Sequence, residues 1–318
     1  MGMEMAGHKC VGYVEIDKYA RQSYEAIHNT KGEWTSCDIR TVDHRELPNA
    51  DCYCGGFPCQ TFSVAGKRGG FTDTRGTLFF EIMRLAKERK PKYLFLENVA
   101  GLLSHDGGRT FGTIIQTLYE LGYDAEWQVL NSKDFGVPQN RERVFIIGHL
   151  GGGSGRKVFP IREIDIEVVG ANEGLAMVGM LDMKGNECTR RVYHSKGIAP
   201  SLTTMQGGHR EPKVAVRACL TPDRLKKRQD GPRFKGEGED MFTLTAQDRH
   251  GVCVSKPNGY RIRKLTPLEC WRLQGFPDWA FQKAKGAGAS DSQLYKQAGN
   301  SVTVNVIREI AKRLEVQK

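Results

Sequence analysis

No stretch of this chain approaches the run of about 18 apolar residues that spans a bilayer. The opening residues, Met1 to Gly7, also lack the apolar core of a secretion signal. Together these absences argue against a membrane partner and against export. The chain is also short of acid: Asp and Glu total 37 against 47 Lys and Arg, a formal charge of +10. That imbalance favours an anionic partner, nucleic acid first. With 39% hydrophobic and 26% charged residues, the composition is neither disordered nor fibrous. Zinc-ribbon spacing is missing too. The nine cysteines are odd in number and scattered, and the one cluster, Cys52, Cys54 and Cys59, has no histidine nearby. They read as reduced thiols of a cytoplasmic protein, with no bound metal. Cys52 and Cys54 read as small core residues on one face of a strand.

At 318 residues the chain exceeds the roughly 250 at which single cores stop growing. Residues 1–150 alternate short apolar runs with helical patterns, the signature of an α/β sheet. Cys10 to Val14 reads as a strand ending at Glu15, and Asp17 caps a helix carrying Ala20, Tyr24 and Ile27. A second strand, Asp51 to Cys54, runs into Gly55-Gly56-Phe57-Pro58. Thr77 starts a helix, and Tyr93 to Leu96 is a fully apolar strand ending at Glu97-Asn98. A helix from Thr110 to Leu121 closes at Gly122, and Val144 to Ile147 is a further strand.

Gly151 to Gly155 is a hinge by composition. Regular alternation then fades, and residues 151–262 form a smaller, irregular, mostly β module rich in base, notably from Arg217 to Lys235. It holds a loose echo, Ser201 to Gln206 against Phe242 to Gln247, which suggests two similar strand-loop elements. Helices return from 263 to 318, the last expected to pack on the first domain. Thr266-Pro267-Leu268-Glu269 is a capping box, Gly275 stops that helix, and the final helix starts near Ser301.

The chemistry concentrates at Gly55-Gly56-Phe57-Pro58-Cys59-Gln60. A thiol just past the C-terminal end of a strand lies where open α/β sheets place reacting groups. The loop that follows, Thr61 to Gly76, carries Gly66, Gly69, Gly70 and Gly76 with Lys67, Arg68 and Arg75. Such a loop suits a lid over an anionic polymer.

Further along come Glu97-Asn98-Val99, then Gln139-Asn140-Arg141-Glu142-Arg143, then Gln297-Ala298-Gly299-Asn300-Ser301-Val302. With Arg263 to Pro277 these make five motifs, in the order and spacing of the DNA (cytosine-5)-methyltransferases. From about residue 7 to its end the sequence resembles that family. The resemblance implies a Rossmann-like S-adenosyl-L-methionine-dependent methyltransferase sheet followed by a target-recognition domain. It also implies transfer of a methyl group to C5 of cytosine in a specific sequence of double-stranded DNA, in a restriction-modification or phage setting.

In that chemistry a thiolate adds to C6 and makes C5 nucleophilic, so Cys59 would be the covalent catalyst. Glu97, as a carboxyl with a raised pKa, would support the ring at N3. Arg143 would touch cytosine O2, while Arg141 orients Glu97 or binds phosphate. For the cofactor, Glu15 matches a ribose-binding acid with Ile16 beside it, and Asp38-Ile39 matches an adenine contact. Pro58 and Leu78 match pocket-lining positions, and Asn300 a closing C-terminal loop. Gln60, Ser63, Lys67, Arg68, Thr204, Arg210, Thr245 and Arg249 are the candidates for DNA contact.

The family's opening Phe-x-Gly-x-Gly strand and loop has no match ahead of Glu15, so the first strand of the sheet is expected to be missing. A start upstream of Met1 is the favoured account. The alternatives are an RNA cytosine-5 methyltransferase, or a DNA-binding subunit inactive without a partner that supplies the loop. The expected enzyme is a monomer, with a cognate restriction endonuclease as its companion.

Overall fold

The computed structural model describes residues 1–58, 78–151, 157–162, 235, 239–244 and 265–315, together with the backbones of six strands between 177 and 264. The chain divides into two compact units. One comprises Met1–Asn131, Glu142–Asp165 and Val306–Lys318, and the other Ser132–Arg141 and Ile166–Asn305. Against expected cuts at residues 150 and 262, the first unit runs on to Asp165 and includes Val306–Lys318. The connection 132–141 leaves the first unit, and the helices of 265–305 join the second.

The first unit begins with a short helix α1 (Gly2–Met5), then β1 (Gly12–Val14), α2 (Lys18–Ile27) and β2 (Trp34–Ser36). Asp17 caps α2 by accepting from the amides of Tyr19 and Ala20. There follow β3 (Cys52–Gly56), α3 (Leu78–Arg89), β4 (Tyr93–Val99), α4 (Arg109–Glu120), β5 (Tyr123–Asn131) and β6 (Glu142–Leu150). Gly122, just past α4, has the left-handed φ of +84°.

The expected sheet is present in two pieces. β1 pairs with β2 in parallel, and a separate four-stranded sheet has the order β3-β4-β6-β5. In the latter β3 and β4 run parallel, while β6 is antiparallel to both its neighbours. Among the described residues no strand pairs with the outer edge of β3 or joins it to β1. That edge changes the expectation for its cysteines: Cys52 and Cys54 do share a face, with sulfurs 3.7 Å apart, but Cys54 is exposed and Cys52 only half-buried.

β4 is the buried centre, flanked on both sides, with Leu94 and Leu96 packed against Phe79, Met83, Ile114 and Ile146. The final segment, 306–318, belongs to this unit, where His8 Nε2 meets the Ala311 carbonyl at 2.8 Å.

In the second unit, β7 (Met177–Met180), β8 (Arg191–His194) and β9 (Lys213–Ala215) form one three-stranded sheet. β10 (Arg217–Leu220), β11 (His250–Lys256) and β12 (Gly259–Lys264) form another. The helices are α5 (Pro267–Leu273), α6 (Asp278–Gly286) and α7 (Asp291–Asn300); α8 (Val304–Ala311) begins here and continues into the first unit. The Thr266 capping box forms as its sequence requires, and Gly275 takes φ +78°. The indole of Trp271 donates to the Leu294 carbonyl, joining α5 to α7. No helix among the described residues is long and apolar enough to cross a membrane.

Candidate active site

Glu97, expected at the end of an apolar strand, lies two residues inside the end of β4. β4 continues through Asn98 and Val99 because β6 pairs with it that far, Glu97 opposite Phe145 and Val99 opposite Arg143. This antiparallel register brings Arg143 to Glu97, with Nε 3.0 Å from Oε1 and both side chains mostly buried. Burial pushes the Arg143 guanidinium below its ordinary value, and the Glu97 charge and hydrogen bond oppose that. Arg143 Nη1 donates to the Glu142 carbonyl at 2.7 Å.

The other oxygen of Glu97 lies over β3. A Cβ placed on Gly56 would stand 3.0 Å from Oε2, so the absence of a side chain at 56 leaves room for the carboxylate. Gly55 serves a different contact, since a Cβ there would meet Cδ1 of Ile82 in α3 at 2.8 Å. Asn98, 3% exposed, donates from Nδ2 to the Phe57 carbonyl at 2.7 Å and accepts from the Val99 amide at 2.9 Å. This ties the strand that carries Glu97 to Phe57, just past the end of β3. Sequence reasoning gave Asn98 and Gly56 no roles of their own; the signal was present in the paired glycines and in a polar residue ending an apolar strand.

Arg141 departs from its expected duty. It lies in the second unit, 3% exposed, and its guanidinium donates to three main-chain carbonyls, Leu244 at 2.9 Å, Gly299 at 3.1 Å and Ser301 at 2.8 Å. The ion pair with Glu97 is made by Arg143, the arginine expected on the base.

In the first unit Glu15 follows β1 and accepts from the Asp17 amide at 2.7 Å, while Arg21 donates to its carbonyl. Ile16 beside it is 66% exposed, as is Leu78 to 41% at the start of α3. Asp38 follows β2 and engages Arg40 through both carboxylate oxygens, which holds the Asp38 carboxyl below its usual range. Ile39 is half-buried and Pro58 exposed. Asn300, expected on a closing loop, is the last residue of helix α7 and is exposed, because the Ser290 capping box begins a helix that runs through Gln297–Asn300. Cys59, Gln60, Ser63, Lys67, Arg68, Thr204, Arg210, Thr245 and Arg249 lie outside the described residues.

A family profile described as C-5 cytosine-specific DNA methylase matches residues 1–316. The orphan methyltransferase M.SPBetaI of Bacillus phage SPbeta is 40% identical, over 96% of this chain and 92% of its own length. The type II methyltransferase M.HhaI of Haemophilus parahaemolyticus is 36% identical over 98% of this chain and 89% of its own. Among solved structures, the S. pombe Dnmt2 methyltransferase aligns with a TM-score of 0.60 at 18% identity, covering 97% of this chain and 92% of that one. A putative DNA modification methyltransferase encoded in an E. coli prophage aligns at 0.56 with 19% identity, covering 98% and 93%. These two show the shared fold. The match along almost the entire chain agrees with the order of motifs around Glu97 and Arg143. The chain therefore belongs to the C-5 cytosine-specific DNA methylases and is an S-adenosylmethionine-dependent DNA (cytosine-5) methyltransferase.

Proposed function

We propose that Cys59, Glu97 and Arg143 carry the reaction, on a cytosine drawn from a specific sequence of duplex DNA. The observation that carries this reading is the Asn98–Phe57 hydrogen bond. It couples the Glu97–Arg143 pair to Phe57, two residues ahead of Cys59 in the chain. On this reading the Cys59 thiolate forms a bond to C6, and the displaced π electrons move toward C5 while Glu97 supports the ring at N3. Arg143 keeps Glu97 aimed through Nε, so any contact to cytosine O2 falls to its remaining nitrogen. Once C5 carries the methyl group it loses its proton, the C6–S bond breaks, and the thiolate is restored. Reaching the ring requires the base to leave the stack. Arg141 stands outside this set, with Nη1 and Nη2 both engaged by main-chain carbonyls.

S-adenosylmethionine supplies the methyl group on a sulfonium. The described residues fit it: a carboxylate at the end of a parallel strand suits ribose hydroxyls, and the exposed Ile16 next to it in the chain offers apolar cover to an adenosine. On this reading Leu78, exposed at the start of α3, and Ile39 and Pro58 line the rest of the pocket. Asp38 contributes only by sharing a carboxylate that Arg40 already holds. Relatives named as orphan phage and type II methyltransferases support a phage or restriction-modification role; on our reading the enzyme acts there as a cytoplasmic monomer.

The test is a duplex containing 5-fluorocytosine, incubated with enzyme and cofactor. A covalent adduct on the peptide bearing Cys59 is expected. Cys59→Ser should abolish transfer to ordinary cytosine and leave duplex binding nearly intact. Near-normal turnover by Cys59→Ser would overturn the mechanism, and transfer confined to RNA would overturn the duplex substrate.

A further inference from the structure

Side chains along β3 alternate between two faces of the sheet. Tyr53 packs against the core, and a Cβ on Gly55 would meet Ile82 of α3, so these two look toward the α3 side. Cys52, Cys54 and Gly56 take the opposite face, each in register with a residue of β4: Tyr93, Phe95 and Glu97. Among the described residues no strand pairs with the outer edge of β3. At that edge Cys54 is exposed and Cys52 half-buried, and their Sγ atoms lie 3.7 Å apart.

Two thiols this close can join each other or share a third atom. A disulfide needs its sulfurs at about 2.05 Å and its Cα atoms at about 5.5–6 Å. Residues two apart in a strand have Cα atoms about 6.6 Å apart. Closing that bond would pull β3 away from the pairing with β4 that holds Cys52 opposite Tyr93 and Cys54 opposite Phe95. A bridging ion asks for no such movement. At a zinc–sulfur distance of about 2.3 Å, sulfurs 3.7 Å apart subtend about 107° at the ion, close to the tetrahedral angle of about 109°. Thiolates also select soft ions of this kind.

The cysteine spacing in the sequence lacks the four ligands of a closed zinc site, and the expectation of no metal followed from that. The strand nevertheless brings two ligands to a fitting distance at an accessible edge. Among the described residues no group of three or more His, Cys, Asp or Glu could hold a metal, so a closed site is not on offer there either.

We propose that Cys52 and Cys54 form an open, two-thiolate site for a soft divalent cation, Zn²⁺ first, with its remaining positions left to water. Binding forms two sulfur–metal bonds, sends one proton from each thiol to solvent, and displaces two of the ion's waters. The charges of two thiolates cancel those of the ion. The occupied site therefore adds no net charge to the row of side chains that runs on through Gly56 beside Glu97.

The test uses the full chain, reduced and stripped of metal, titrated with Zn²⁺ against a chromophoric chelator. A parallel titration with Cd²⁺ reports thiolate ligation through its ultraviolet charge-transfer band. The parent is compared with Cys54→Ser, Cys52→Ser and Cys59→Ser. Losing an outer partner of a metal ligand costs roughly 10–100-fold in affinity. Losing one of only two ligands is expected to cost at least that much, with the cadmium band lost in Cys54→Ser and kept in Cys59→Ser. Methylation by metal-free Cys54→Ser is expected within about twofold of the parent. Serine at the exposed Cys54 keeps the test open where Cys52→Ser fails to fold. Equal zinc affinity in the parent and Cys54→Ser would overturn the proposal. Affinity lost in Cys59→Ser and kept in Cys54→Ser would move the ion to the other thiol and overturn it as well. A Cys52–Cys54 disulfide formed with oxidised glutathione, in a chain that binds no zinc when reduced, would make the pair a redox couple instead.

Discussion

Gly56→Ala isolates the geometry of the carboxylate from the stability of the fold. The φ of Gly56 is not in the left-handed region, so alanine adopts this strand position without backbone strain. Replacing glycine at a compatible position stabilises by about 0.4–1 kcal/mol through the unfolded chain. The added methyl, however, would stand 3.0 Å from Glu97 Oε2. The carboxylate must withdraw by a few tenths of an ångström, against the restraint of Arg143 on its other oxygen. A misplacement of about 1 Å at a reacting group costs roughly 10²-fold, so about 0.4 Å corresponds to a loss of roughly five- to tenfold. Single-turnover methylation with saturating DNA and cofactor should show that loss, with KM for DNA little changed and the denaturation midpoint unchanged or slightly raised. A full rate in Gly56→Ala would refute the claim that Glu97 acts from the position seen here. A lowered midpoint would show that the alanine harms packing instead.

Asn98→Ala should cost about 2–4 kcal/mol, from two lost hydrogen bonds and a Phe57 carbonyl left dry. Guanidinium denaturation with an unchanged slope would measure it, alongside slower adduct formation with the fluorinated duplex. A loss under about 0.5 kcal/mol would mean that water replaces the amide. Duplex affinity should fall linearly on a log–log plot against salt, and Lys67→Ala should reduce the slope by about 1 if that lysine meets a phosphate. A flat salt dependence would contradict an interface built on the surplus of basic residues.

Elements with a complete local code were legible in the sequence. Asp17 and Thr266 announced helix starts because a side chain three residues from its own acceptor or donor needs no tertiary partner. The apolar run Tyr93–Leu96 could only be a buried strand, and the ordered motifs carried the family. Two strands of the first unit escaped. β2 is three residues long, and β5 is a sheet edge whose alternate side chains Glu126 and Gln128 are polar. Those two bind main-chain groups of residues 158–161, so the partner that makes them strand-like lies some thirty residues away.

The site itself divides in the same way. The candidate residues were legible in the chain: a thiol after Gly55-Gly56-Phe57-Pro58, an acid closing an apolar strand, and two arginines spaced by one. Which arginine serves the acid was decided by the register of β4 against β6, a pairing between segments more than forty residues apart that no local pattern encodes. Arg141, two positions away in sequence, falls into the other compact unit and meets carbonyls instead. A guanidinium goes where buried acceptors lack donors, and only the folded chain determines where those acceptors are.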